Sequence, residues 1–418
     1  MVDAQRVLAN LDELRTLTAD EHGAQRVAWT PIWLKARAWF QAKLDALSAQ
    51  SGVALEDHYD TAGNHWVTLA GESERALVVG SHLDSVPNGG WLDGCLGVLA
   101  GLEVLTHMIE VYGSHPPVTL KLVDWADEEG ARFGRSLFGS AAFAGKATIA
   151  ADRGRTDKDG ITLEAALAAC GVAVEDVGKA VVEQKNLAAY LELHIEQGPI
   201  LERLGAPLAV VQGTKGVERW AITFYGQEAH SGSTPMEVRR DALAAAAKLA
   251  LEIRPIARRH PQAVATMGSV KTFPGIVTAV VGRCEVTLDM RDLDAEVLAQ
   301  MLREAREASE RFAHEEGCTV EWARIWSIEP IPFDPALIAL CEAAIVEGVG
   351  GCVRLPSGPL HDAAEVARLG VPTVMMFVQS LNGLSHNPAE DTRREDLEQA
   401  VYAFARLSEK TMQWIEQR

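Results

Sequence analysis

The chain lacks what several large classes of protein require. It has no basic run, and 58 acidic against 39 basic residues leave a formal net charge of -19 over 418 residues. Nucleic-acid binding needs a positive footprint, so nucleic acid is not an expected partner, although local basic groups can still hold a small anion. Cysteine is sparse: Cys95, Cys170, Cys284, Cys318, Cys341 and Cys352 are scattered, with no Cys-x-x-Cys pair. That fits reduced thiols better than a disulfide framework, and Cys95 has no base paired with it by sequence. Met1 to Arg15 is polar and charged, without the apolar core of a secretory signal. No run reads as long enough to cross a membrane, and there is no internal repeat or low-complexity tract. The expectation is a cytoplasmic protein with no membrane among its partners. What is present, 48% hydrophobic and 23% charged residues, suits a globular protein of two or three domains.

The most informative stretch is Gly80-Ser-His82-Leu-Asp84-Ser85, followed by Asp93-Gly94. Ala76 to Gly80 is a short apolar run of the kind that forms a buried parallel strand. His82 then emerges at the strand's C-terminal end, where open α/β sheets place their ligand sites. Asp84 is positioned to orient the His82 ring as a supporting carboxylate. By itself this pattern fits a structural histidine equally well. Three further strand ends carry similar residues. Val118 to Val123 runs into Asp127-Glu128-Glu129-Gly130; adjacent side chains on a strand point to opposite faces, so both glutamates serve one site only if the backbone turns, and Gly130 permits a turn. Tyr190-Leu-Glu-Leu-His194-Ile-Glu-Gln197-Gly198-Pro199 is strand-like and carries a histidine. Val371 to Val378 precedes Ser385-His386-Asn387-Pro388. Each site alone reads as a solvated loop or a core histidine; four together point to a metal centre.

Residues 1–50 look helical, with apolar spacings of three and four from Ile32 to Leu47. Residues 66–210 alternate strand-like and helix-like runs, an α/β pattern with a mostly parallel sheet, and Gly97 to Met108 starts a helix. From Gly213 the texture changes: strands at Trp220–Tyr225, Cys284–Arg291 and Cys318–Trp326 accompany helices at Asp241–Ile253 and Glu296–Phe312. The expected organisation is a catalytic metal-binding domain in two parts, 1–212 and 330–418, interrupted by an α+β insert at 213–329 that carries few or none of the metal ligands.

Several of these segments together resemble the M20-clan binuclear metalloamidases, in the hydantoinase/carbamoylase branch of N-carbamoyl-L-amino-acid hydrolases, allantoate amidohydrolases and β-ureidopropionases. The markers, spread over nearly the whole chain, are Gly80-Ser-His-Leu-Asp84, Gly89-Gly90 before Asp93-Gly94, Glu128-Glu-Gly-Ala-Arg-Phe133, His194-Ile-Glu-Gln-Gly198 and Gly383-Leu-Ser-His386. The resemblance implies a di-metal hydrolase domain with an inserted dimerisation or lid domain. It implies two divalent ions per chain, zinc with manganese, cobalt or nickel as substitutes: His82 and His194 on one, Glu129 and His386 on the other, Asp93 bridging. Imidazole and carboxylate donors suit such ions, and paired ions can activate water and polarise a carbonyl. Glu128 is then the general base.

In the insert, Gly226-Gln-Glu-Ala-His230-Ser-Gly232 matches a marker whose histidine, in relatives, reaches the partner's active site. His230 is thus implied to stabilise an oxyanion across a homodimer with shared sites; read alone, it is a loop histidine. Arg291 matches an arginine that clamps a substrate carboxylate, with a surface salt bridge as the alternative. Gln197 and His361 match positions lining the substrate pocket. Three departures bear on substrate: Thr278 stands where relatives have asparagine and cannot make both amide hydrogen bonds; Pro359-Leu360 stiffen and crowd a normally small loop; and Trp91-Leu92 precede Asp93. Together they suggest a pocket that is more apolar or differently shaped. The implied activity is hydrolysis of a linear C–N bond in a small N-carbamoyl or similar N-substituted amino acid. An N-acyl-amino-acid hydrolase or dipeptidase is the alternative, and a non-catalytic scaffold is disfavoured because Glu128 is retained.

Overall fold

The computed structural model describes residues 2–147 and 149–418. The chain forms two compact units, Met1–Gln212 with Phe333–Arg418, and Gly213–Pro332.

In the larger unit, four strands are parallel neighbours: Thr373–Val378, Leu187–Ile195, Ser73–His82 and Val118–Trp125. Their side chains alternate between two buried faces. Leu77, Val79, Leu191, Leu193, Val374 and Met376 join one apolar cluster, and Val78, Tyr190, Met375 and Phe377 join the other. Burial on both faces is why these segments read as continuous apolar runs rather than alternating ones. The sheet is mixed, which corrects the mostly parallel expectation. Leu208–Thr214 is antiparallel to Thr373–Val378 on one flank, and His65–Leu69 and Glu56–Tyr59 add antiparallel strands on the other.

Helix Cys95–Tyr112 lies against one face with Ala4–Thr18, Pro335–Val349 and Arg394–Glu416. At 18 residues it is long and apolar enough to span a membrane, so the expectation that no run approaches that length is corrected; 72% of it is buried inside the protein. Trp91 and Leu92 also pack into this core, and Arg15 and Arg394 lie over the Trp91 ring. They therefore serve the core, and of the three departures read together this one does not itself make the pocket more apolar.

Because the four central strands are parallel, their C-terminal ends share one edge of the sheet. His82 lies opposite Trp125 there, and His194 opposite Phe377. Pairing between the His82 and His194 strands ends at Val79–Leu191. Beyond that point the strands can part around a ligand, as open α/β sheets do at a switch point.

The smaller unit is an antiparallel sheet ordered Val264–Phe273, Arg283–Asp292, Gly216–Tyr225, Thr319–Ile328, packed against helices Ala242–Arg258 and Ala295–Glu315. Strand Arg283–Asp292 alternates buried and half-buried residues along its length, the period of a sheet with one covered face. The edge strand Val264–Phe273 escaped the sequence reading because most of its side chains are exposed and Gly, Ser, Thr and Lys obscure its alternation.

A buried ion pair ties helix Pro31–Ser51 to the end of the His82 strand. The Arg37 guanidinium lies 2.8 Å from Asp124 Oδ2, over the Trp33 ring, and Asp124 Oδ1 accepts the Leu83 amide at 2.8 Å. Removing one partner strands the other charge in the core, at a cost of about 3–5 kcal/mol. Arg37→Met should therefore lower the urea midpoint of the larger unit strongly, and Asp124→Asn added to it should recover part of the loss. An unchanged midpoint in Arg37→Met contradicts this role.

Candidate active site

The edge where the four strands end collects donors around one carboxylate. Asp93 follows a loop and precedes Gly94, whose φ of 66° and closeness to His82 exclude a side chain: a Cβ there would lie 2.4 Å from the His82 ring. Asp93 Oδ1 faces His194 Nε2 at 3.2 Å and His82 Nε2 at 3.7 Å. Asp93 Oδ2 faces His386 Nε2 at 3.4 Å, and His386 Nε2 lies 3.2 Å from Glu129 Oε2. Within each trio, His82–Asp93–His194 and Asp93–Glu129–His386, the donor atoms lie within 4.8 Å of one another. The metal-ligand residues expected from sequence are thus brought together, and all belong to the larger unit.

The histidine tautomers follow from their neighbours. His82 Nδ1 lies 3.1 Å from the Asp84 carbonyl and His194 Nδ1 2.9 Å from the Ile195 carbonyl. A carbonyl only accepts, so each Nδ1 carries a hydrogen, and in its neutral form each ring turns the lone pair of Nε2 toward Asp93. Both Nε2 atoms, and Glu129 Oε1, are buried without a hydrogen-bond partner. Lone pairs facing a carboxylate repel unless a cation lies between them. This orphaned donor set fits a divalent cation.

By themselves, the carboxylate and the rings draw positive charge into the site. Burial resists the Asp93 charge, yet His194, His82 and His386 hold its carboxyl below the ordinary range. Burial opposes charging of His194, but Asp93 raises its pKa overall. His386, bonded to Glu129, is pushed up to about 9.

The acidic turn is built by its backbone. Asp127 takes φ 57° and Gly130 φ 63°, which brings Glu128 and Glu129 to one site. Asp84 does part of this: its carboxylate accepts the Glu128 amide at 3.1 Å and the Glu129 amide at 3.2 Å. The sequence reading had this carboxylate orienting the His82 ring, but the short contact to that ring is made by the Asp84 carbonyl, the carboxylate lying 3.6 Å away. Trp29 Nε1 donates to Asp127 Oδ2 at 2.7 Å and steadies the same turn. Glu128 Oε2 lies 3.7 Å from His82 Nε2. Burial, opposed by His82 and helped by Asp362, Glu129 and Asp84, lifts its pKa well above the usual carboxylate range.

Gln197 has φ 57° because Glu196 caps the next helix, accepting the Ile200 and Leu201 amides at 2.8 Å each. Its Nε2 donates to Asp93 Oδ2 at 2.9 Å, while its Oε1 is buried and unpartnered. The His361 ring centroid is 4.4 Å from that of His194. Burial holds the pKa of His361 well below the ordinary histidine range, and its Nε2 has no partner.

The smaller unit holds the remaining expected residues. His230 pairs with Ala279 across two short strands, and the Thr278 carbonyl accepts the Ser231 amide at 2.9 Å, so His230 and Thr278 are neighbours. Both are exposed. The Arg291 guanidinium bonds Asp289, Nε to Oδ1 at 2.9 Å, the arrangement of the salt-bridge alternative. Cys95 is buried, and burial raises its thiol pKa, which suits a core residue rather than a nucleophile.

Two residues were missed. Glu390 accepts the Leu92 and Asp93 amides at 3.0 and 3.1 Å, and a Cβ on Gly90 would lie 2.0 Å from its carboxyl group. Ser385 Oγ lies 2.9 Å from Asp93 Oδ2 and 3.2 Å from Glu390 Oε2. The available signals were the Gly89-Gly90 pair and a carboxylate four residues after His386.

The model of Peptidase family M20/M25/M40 matches residues 78–410. The chain is 39% identical over 341 residues to an N-carbamoyl-L-amino acid amidohydrolase of Geobacillus stearothermophilus, covering 81% of this chain and 82% of that protein. It is 33% identical over 406 residues to an allantoate amidohydrolase of Escherichia coli, covering 96% of each. Among solved structures, an amidase of the hydantoinase/carbamoylase family from Burkholderia multivorans superposes with a TM-score of 0.85 at 34% identity over 97% of each chain. With its donors gathered around Asp93 and likeness along nearly its whole length, the chain belongs to the peptidase family M20/M25/M40, in the hydantoinase/carbamoylase branch of C–N hydrolases.

Proposed function

We propose that the protein is a metal-dependent amidohydrolase that cleaves the C–N bond of an N-carbamoyl or closely related N-substituted amino acid. The observation that carries this reading is Asp93, with a separate set of candidate ligands facing each of its oxygens, the Nε2 atoms of His82 and His194 unpartnered among them, and the acid-base group Glu128 beside them. The N-carbamoyl-L-amino acid amidohydrolase and allantoate amidohydrolase relatives support the substrate class.

His82, Asp93 and His194 would hold one divalent cation and Asp93, Glu129 and His386 a second, zinc being the first choice and manganese, cobalt or nickel alternatives. Bound there, such ions supply Lewis acidity toward the substrate carbonyl and acidify water. Glu128, whose carboxylate lies 3.7 Å from His82 Nε2 at the edge of the donor set, takes the proton of the attacking water. It then gives that proton to the leaving amino-acid nitrogen as the carbonyl C–N bond breaks. From a carbamoyl substrate the other fragment is carbamic acid, which falls to carbon dioxide and ammonia. Gln197 Oε1, a buried unused acceptor, suits a ureido N–H, and the neutral His361 Nε2 is a second unused polar atom beside the same site.

The insert is the proposed dimerisation and lid domain, with His230 completing the partner's site and Arg291 turning from Asp289 to a substrate carboxylate. Its edge strand Val264–Phe273 supports association, since Val264 and Val270 are exposed on it and an open apolar edge invites pairing.

Three outcomes are expected. Chelation should abolish activity, zinc, manganese or cobalt should restore it, and Asp93→Ala should bind neither ion in a metal titration; full turnover by rigorously metal-free protein sinks the reading. Glu128→Gln should keep fold and metal content while turnover of carbamoyl, formyl, acyl and dipeptide compounds falls by on the order of 10² or more; near-normal turnover removes Glu128 from the mechanism. Mixing inactive His230→Ala with inactive Glu128→Gln subunits should restore a fraction of wild-type activity through hybrid dimers, and no recovery after proven exchange means that the sites are not shared.

A further inference from the structure

The two oxygens of Asp93 are not equivalent. Oδ1 faces His82 and His194, both of them buried, and accepts no hydrogen bond from Ser385 or Gln197. Oδ2 faces Glu129 and His386, whose side chain is 48% exposed, and lies within hydrogen-bond distance of two donors. Gln197 Nε2 is 2.9 Å away and Ser385 Oγ is 2.9 Å away. An ionised carboxylate offers about two lone-pair sites on each oxygen. Two hydrogen bonds therefore occupy Oδ2, and a cation binding there must displace one of them.

The displaced hydrogen has somewhere to go. Ser385 Oγ is also 3.2 Å from Glu390 Oε2. Glu390 Oε1 is committed to the Leu92 and Asp93 amides, but Ser385 is the one side-chain partner recorded at Oε2 among the described residues. One hydroxyl has one hydrogen, so it serves Asp93 or Glu390 and not both. Gln197 Nε2, with two hydrogens, can keep Ser385 Oγ as an acceptor, 3.1 Å away, in either state.

We infer that Ser385 is a two-position hydrogen-bond switch, donating to Asp93 Oδ2 in the metal-free site and to Glu390 once a cation takes that oxygen, and that this competition makes the Glu129–His386 position the weaker and more exchangeable of the two. The inference rests on the di-cation reading given above. Ser385 is on this account a positioning residue that acts through Asp93. Its sign is unusual: an ordinary supporting hydrogen bond to a ligand strengthens metal binding, and losing it weakens affinity about 10–100-fold. A hydroxyl that competes for the ligand oxygen does the opposite.

The experiment is a titration of metal-free protein with cobalt(II) alone, followed by calorimetry and by the visible ligand-field spectrum, in mildly alkaline buffer. Wild type should show two steps of unequal affinity, and His386→Ala should lose the weaker one, which assigns it. Ser385→Ala should leave the tighter step in place and tighten the weaker step by roughly tenfold, the scale of one hydrogen bond to a charged group. Glu390→Gln, which makes the alternative acceptor neutral, should move the weaker step the other way. A weaker or unchanged second step in Ser385→Ala overturns the switch while leaving the di-cation site intact. Absence of cobalt binding in wild type overturns the site itself, so the two failures are distinguishable.

Discussion

The larger unit is arranged around the two-sided Asp93 carboxylate. A carboxylate is one of few side chains able to offer oxygens to two positions at once, and here each oxygen meets its own set of donors. Everything nearby serves to aim it. Gly94 brings the loop against the His82 ring, Gly90 admits Glu390, and Glu390 holds the Leu92 and Asp93 amides. Parallel strands matter because they deliver His82, the acidic turn, His194 and the His386 loop to the same edge of one sheet.

The loops leaving that edge take unusual backbone conformations. Asp127, Gln197 and His386 have φ of 57°, 57° and 52°, a region that disfavours residues with a side chain. Such positions persist where surrounding bonds over-determine them. Asp127 is held by Trp29, and Gln197 by the Glu196 cap and Ser380, which takes the Gln197 amide at 3.1 Å. The cost is spent on direction: each turn redirects a side chain that a regular strand would point to the wrong face.

The donors were legible from sequence because they break a pattern. His82, Glu129 and His194 stand at or just past the ends of apolar runs, where a polar donor has little structural reason to be, and His386 was found through the loop that follows a fourth such run. Glu390 and Ser385 lie in a polar loop with no periodicity to interrupt, so only their nearness to His386 marks them. Only the three-dimensional approach of Glu390 to Gly90 reveals why a Gly-Gly pair precedes Asp93. Asp84 was recognised as important, but the atom that touches the His82 ring is its carbonyl, a distinction sequence cannot carry. The strand Val264–Phe273 was invisible for a related reason: an edge strand with most side chains in water shows no clear two-residue alternation. Composition gave no warning that Trp91 would be a core residue capped by arginines.

The most direct test of the central claim is anomalous diffraction from crystals grown with zinc, collected at the zinc edge. The account predicts two peaks about 3.5–4 Å apart flanking the Asp93 carboxylate. One should lie against the Nε2 atoms of His82 and His194, the other against Glu129 and His386. A single peak bound by only one oxygen of Asp93, or metal held elsewhere while His82 and His194 remain unligated, would contradict it.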